Sequence, residues 1–142
     1  MTASPALHIL IVDDNAICAQ ILARIFTLKQ LKEIATFEIT IHNSPEDALP
    51  DLKKTQYDII FTDIEMTNMS GCDMAQTIRD KSTDIYKKNH DTPIIAITSR
   101  YDDNSCIQYK EAGITECLEK PAKADSIEIL VKDRVAQLAI MM

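Results

Sequence analysis

Four charged side chains and one hydroxyl stand at the ends of short apolar runs. Asp13 and Asp14 follow His8 to Val12, Asp63 follows Tyr57 to Thr62, Thr98 closes Pro93 to Ile97, and Lys120 follows Glu116 to Glu119 and immediately precedes Pro121. Brought to one edge, three carboxylates, a hydroxyl and an ammonium would hold a divalent cation and a phosphoryl group. Adjacent acids are costly unless a cation neutralises both. Magnesium suits such a place, because it takes one or two carboxylates plus waters and phosphate oxygens. A carboxylate at Asp63 can attack phosphorus to give an aspartyl phosphate. Lys120 can neutralise one phosphoryl oxygen as a compact point charge. The Thr98 hydroxyl can donate to another only once phosphate has arrived, which is the behaviour of a switch element.

Each residue alone has an ordinary role. Asp14 can cap a helix, Asp63 can end a strand, Thr98-Ser99 can cap the next helix, and Lys120 can be a solvated lysine at a turn. Their joint occurrence at four strand ends, in this order, is what points to chemistry.

The elements that must position them alternate in type. Strands are predicted over about 8–12, 37–42, 58–62, 94–98 and 116–119. The first helix, capped by Asp14 or Asn15, is predicted to run to about Lys32, with Ile17, Ile21, Leu22, Ile25 and Leu28 as its apolar stripe. Ser44-Pro45 reads as N-cap plus first helical residue of a helix to about Lys54, and Pro50 should kink it. A loop over 63–71 leads to a helix over about 72–81. Ser82 to Asp91 is polar and reads as an extended surface loop. A helix over 103–112 stops at Gly113, and a last one over 123–139 faces Ile127, Leu130, Val131, Val135 and Leu138 inward. Five strand-helix units with right-handed crossovers make a doubly wound α/β sandwich around a parallel sheet, where ligands sit beyond the carboxyl ends of the strands. With only Gly71 and Gly113 present, a glycine-rich phosphate cradle is excluded.

One domain over 1–142, with a core of about 7–138, is the simplest organisation. A formal charge of −7 and a pI near 4.9 make a nucleic-acid backbone a poor partner. No apolar run approaches membrane-spanning length and Met1 to Pro5 has no basic region. The expectation is a cytoplasmic protein, or a nuclear one if the chain is eukaryotic. Cys18, Cys72, Cys106 and Cys117 show no metal-site spacing and are expected to be reduced thiols, most of them packing as small apolar groups.

The pieces Ile11-Val12-Asp13-Asp14-Asn15, Thr62-Asp63-Ile64-Glu65-Met66, Ser70-Gly71, Ile95-Ala96-Ile97-Thr98-Ser99, Glu111-Ala112-Gly113 and Leu118-Glu119-Lys120-Pro121 together resemble the receiver domain of two-component response regulators. The resemblance covers about Leu7 to Leu138. It implies a flavodoxin-like sandwich with strand order 2-1-3-4-5, and a phosphoryl group passed from a phosphohistidine donor to Asp63. That donor would be a histidine kinase or a histidine phosphotransfer protein. The resemblance further implies magnesium (or manganese) on Asp14, Asp63 and the Glu65 carbonyl, with Asp13 acting through water. Thr98 and Lys120 would hold phosphoryl oxygens, and the Lys120-Pro121 bond would be cis. Output would pass through the face made by the fourth predicted helix, the fifth strand and the fifth helix, in a monomer or weak dimer. The chain would catalyse only its own phosphorylation and dephosphorylation.

Three departures stand out. Thr67 replaces a common proline, so the loop after Asp63 is expected to be less rigid. Cys117 replaces the aromatic switch residue, leaving Tyr101 or Tyr109 as substitutes. The Ser82 to Asp91 segment is longer than in compact bacterial receivers, a eukaryotic and fungal trait. Glu65 and Arg100 flank the site, where they would tune the lifetime of the phosphoryl group. Two alternatives compete: a receiver-like binding module that no longer takes phosphate, and a haloacid-dehalogenase-like phosphatase built on Asp63 and Glu65.

Overall fold

The computed structural model describes residues 5–141; the start read for a signal peptide (Met1 to Ser4) and Met142 lie outside them. Five parallel strands, β1 (Ala6–Val12), β2 (Thr36–His42), β3 (Ile59–Thr62), β4 (Ile94–Thr98) and β5 (Glu116–Glu119), form one sheet in the order 2-1-3-4-5. Helices α1 (Ala16–Ile25), α2 (Lys29–Lys32), α3 (Pro45–Lys54), α4 (Gly71–Arg79), α5 (Asp103–Glu111) and α6 (Ala124–Met141) cover its two faces. The expected doubly wound sandwich is the observed one.

The central strands are buried on both sides because side chains alternate between two cores. Leu10, Val12, Ile60, Ile94 and Ala96 meet α3, α4 and α5 through Leu52, Met74, Ile78 and Tyr109. Ile9, Ile11, Ile59, Phe61, Ile95 and Ile97 meet α1, α2 and α6 through Leu22, Leu31, Ile127 and Val131. Leu130, Val135 and Leu138 of α6 pack only partly buried against this second core.

Several local expectations are corrected. The first helix breaks after Ile25, where Phe26, Thr27 and Leu28 donate to carbonyls three residues back and the Thr27 hydroxyl donates to the Arg24 carbonyl at 2.6 Å. The break swings Phe26 into edge-on contact with Phe37 and Phe61. The buried stripe of α1 is Ala19, Leu22 and Ile25, so Ile17, Ile21 and Leu28 face outward. Pro50 lies on the exposed side of α3, which runs on through it to Lys54, and water there can replace the missing hydrogen bond to Glu46. Ile41, on the edge strand, is exposed.

The segment 82–91 is not a solvated extended loop. It folds into a short 3₁₀ turn, Lys87–Asn89, and buries Tyr86 and Asn89. The Asn89 amide nitrogen donates to the Leu52 and Thr55 carbonyls at 2.9 and 2.8 Å. Its oxygen accepts from the Tyr57 N–H and the Thr92 hydroxyl at 2.9 and 3.0 Å. A single polar side chain thus joins the end of α3, the approach to β3 and the approach to β4. Asn89→Ala strands several buried partners and should lower unfolding stability by about 3 kcal/mol. Urea unfolding checks this; a loss below about 1 kcal/mol would mean that water substitutes for the amide.

Candidate functional site: an acidic cluster facing a lysine

The sheet register brings the predicted residues to one edge. Val12 pairs with Thr62, Thr62 with Ala96, and Thr98 with Glu119. Backbone bonding continues one residue past the strand ends. The Asp13 N–H donates to the His42 carbonyl at 3.1 Å, that of Asp63 to Val12 at 2.9 Å, and that of Lys120 to Thr98 at 2.9 Å. Each chemical residue is therefore held by a neighbouring strand before its side chain makes any contact.

Oxygens of Asp13, Asp14 and Asp63 lie within 4.8 Å of one another. Asp13 and Asp63 are buried and Asp14 is exposed. Lys120 Nζ sits 3.2 Å from Asp13 Oδ2 and 3.1 Å from Asp63 Oδ2. The second Asp63 oxygen accepts from the Ile64 N–H at 2.8 Å, and the second Asp13 oxygen accepts from the Asn15 N–H at 2.9 Å. One ammonium against three carboxylates leaves a negative surplus, so this hard-oxygen donor set fits a magnesium-sized cation. The Lys120-Pro121 peptide is cis.

Burial pushes the Asp63 carboxyl above its ordinary range; the hydrogen bond and charge of Lys120 and the Ile64 N–H oppose this, and Asp13 adds to it. Burial alone would lower Lys120, but its hydrogen bond to Asp63 and the charges of Asp13 and Asp63 outweigh it and hold it above its usual value. Lys120 therefore stays an ammonium, and Asp63 carries the penalty.

Thr98 is buried, and its hydroxyl oxygen accepts from the Arg100 N–H at 3.1 Å. The Tyr109 phenol, from α5, donates to the Arg100 carbonyl at 2.9 Å. Across the mouth, the Arg100 guanidinium reaches Glu65 Oε1 at 3.2 Å, with both side chains more than half exposed. Cys117 is buried in the same core as Tyr109, while Tyr101 faces outward.

The loop after Asp63 is more firmly tied than Thr67 suggested. The Gly71 N–H donates to the Ile64 carbonyl at 2.9 Å, and Glu46 of α3 accepts from the Met69 N–H at 3.0 Å. Ser70 and Asp73 form a reciprocal capping box. A Cβ on Gly71 would fall 2.2 Å from the Asp63 carbonyl oxygen, so only glycine lets α4 start this close to the site. The capping box was readable from Ser70-x-x-Asp73. The Glu46 and Tyr109 contacts join residues far apart in sequence or on opposite sides of a loop, and no local pattern announces them.

A doubly wound parallel sheet in this order, with an acidic cluster against a lysine at its carboxyl edge, defines the class of CheY-like receivers. The chain belongs to the response regulator receiver domain family, whose model matches residues 9–132. It is 31% identical over 124 residues to the transcription factor SKN7 of Candida albicans, covering 87% of this chain and 20% of that protein. It is 31% identical over 120 residues to the sensor histidine kinase RcsC of Escherichia coli, covering 84% of this chain and 11% of the kinase. The fold also matches the receiver domain of sensor histidine kinase PA1611 from Pseudomonas aeruginosa, solved with magnesium in its active-site cleft. There the TM-score is 0.75 at 19% identity, covering 92% of this chain and 98% of that one. The chain thus spans about a fifth or less of these full-length relatives. Among the described residues, no helix is long and apolar enough to cross a membrane.

A pH-dependent stability follows from Asp63. Its folded pKa is raised, so its contribution is most favourable below the unfolded carboxylate pKa and is lost as pH rises through the folded one. Asp63→Asn removes the buried charge and leaves Lys120 paired with Asp13. Without divalent cation, the variant should melt a few degrees higher than the parent at pH 7, for roughly 1 kcal/mol, and show no gain below about pH 4. Thermal unfolding at the two pH values checks the sign.

Proposed function

We propose that Asp63 is the phosphoacceptor of a phosphorelay, fed by a histidine kinase or a histidine phosphotransfer protein. The observation that carries this is Lys120, whose ammonium lies between Asp13 and Asp63 at 3.2 and 3.1 Å. An Asp63 oxygen attacks the phosphorus of a phosphohistidine, the P–N bond breaks, and its electron pair returns to the imidazole. Lys120 takes charge from the arriving phosphoryl oxygens as it gives up part of its contact with Asp63. Asp14, Asp63 and the Glu65 carbonyl would hold magnesium or manganese, with Asp13 behind a water. The ion would supply charge neutralisation between nucleophile and phosphoryl group. The carboxylates fit that task, for the negative surplus is largest where the phosphoryl group must arrive.

Phosphorylation adds roughly −1.5 to −2 charge, and the Thr98 hydroxyl then has a better acceptor than it had donor. Turning to a phosphoryl oxygen, it releases the Arg100 N–H. Tyr109 holds the carbonyl of that same residue and carries the release into α5. In this reading Tyr109, on a helix, would be the substitute for the missing aromatic switch, with Cys117 buried in the same core. The output surface would be the face of α5, β5 and α6, which is the face predicted from the family. A shift there requires that a partner bind the two states with different affinity. One domain over 1–142 acting as a monomer or weak dimer remains our organisation of the chain.

Against the phosphatase alternative, the Glu65 carboxylate that would serve as acid–base is engaged by Arg100. The silent binding module differs in one testable respect. Incubated with magnesium and acetyl phosphate, the parent chain should gain a single phosphoryl adduct by intact mass, labile to hydroxylamine and absent from Asp63→Asn. No adduct on the parent would favour the binding module. Arg100→Ala should leave adduct formation intact and shorten its half-life about two- to fivefold, in keeping with an exposed pair worth up to ~1 kcal/mol. An unchanged half-life would remove the gating role.

A further inference from the structure

The turn from β2 into α3 touches both arms of the acidic edge. At the end of β2, the His42 carbonyl accepts from the Asp13 N–H at 3.1 Å. In the first turn of α3, the Glu46 carboxylate accepts from the Met69 N–H at 3.0 Å, across 23 residues of sequence. Met69 belongs to the loop that leaves Asp63, and that loop needs an outside restraint. Residues 64–70 contain no proline. Asn68 holds the left-handed conformation at φ 54°. Asparagine tolerates this region better than most residues but still favours the right-handed ones. The Glu46 bond fixes the peptide that joins Asn68 to Met69, directly beside the left-handed residue.

We propose that Glu46 is a positioning residue for the cation. By holding the Met69 N–H it fixes the loop that carries the Glu65 carbonyl, and so raises the affinity of the acidic edge for magnesium. The inference rests on the receiver reading, in which that carbonyl is a ligand of the ion. A backbone ligand contributes fully only if its loop is ordered beforehand, because ordering it during binding costs conformational entropy. Magnesium adds to this demand, since it accepts little departure from octahedral geometry. Partners that orient a ligand without touching the ion therefore carry a measurable share of its binding. Among the described residues, Asp13, Asp14 and Asp63 are the acids whose oxygens gather within 4.8 Å. Glu46 stands outside that group, with an oxygen committed to Met69.

Glu46 has a second, ordinary effect that the test must separate. A negative side chain in the first turn stabilises a helix through its charge. Bracing depends instead on the hydrogen bond, and a glutamine keeps the accepting oxygen while losing the charge.

The test uses the 142-residue chain without phosphate. Magnesium chloride is titrated by calorimetry, and exchange of the Met69 amide is followed by NMR in the metal-free protein. Glu46→Ala should weaken magnesium binding about three- to tenfold, the worth of one such hydrogen bond, and should speed Met69 exchange. Glu46→Gln should stay near the parent in both. A glutamine variant as weak as the alanine one would assign the effect to charge and overturn the brace. Met69 exchange that is equal in the parent and Glu46→Ala also overturns it. Magnesium binding by the parent that Glu46→Ala leaves unchanged overturns this inference alone. Absence of magnesium binding by the parent overturns the receiver reading itself, and the inference with it.

Discussion

Everything at the carboxyl edge depends on a surplus of negative charge gathered where the sheet ends. Asp13 and Asp63 are buried beside one another, Asp14 lies at their rim, and among the described residues Lys120 is the single ammonium that reaches both buried acids. Left alone, such a cluster destabilises the fold, since burial raises the Asp63 carboxyl and Asp13 adds to the effect. The hydrophobic layers on the two faces of the sheet are what tolerate it. Their continuous packing from Leu7 to Val131 supplies the stability that the edge withdraws. The same tension would make the edge responsive: a group that brings in positive charge, or that turns a carboxylate into an acyl phosphate beside Lys120, changes the balance directly.

In the proposed switch, the readout would turn on how volume is shared behind Thr98. In this chain the strand residue next to the lysine loop is a small thiol, Cys117, and the large ring, Tyr109, comes from α5. Both are buried in one close-packed core, so a large displacement of either would require repacking around it. Tyr109 does not touch the acidic cluster. In the proposed switch it would act through Arg100, whose N–H meets Thr98 and whose carbonyl meets the phenol.

Much of this could be read from the chain before any coordinates. Strand ends were legible because short, mostly apolar runs stop there at a charged or hydroxyl residue; β4 and β5 fall at the predicted positions, and β3 differs only by the exclusion of Asp58. Meeting of the three carboxylates with Lys120 followed from the topology alone. Helix faces were less legible. Ile17, Ile21 and Leu28 fit a helical period as well as Ala19, Leu22 and Ile25 do, and only the contact with the sheet selects the second set. Asn89 was invisible for a different reason: a polar residue in a polar stretch carries no sign that all its hydrogen-bonding groups will be used inside. Pairings such as Arg100 with Tyr109 are likewise set by packing of a helix on a strand, which no local window contains.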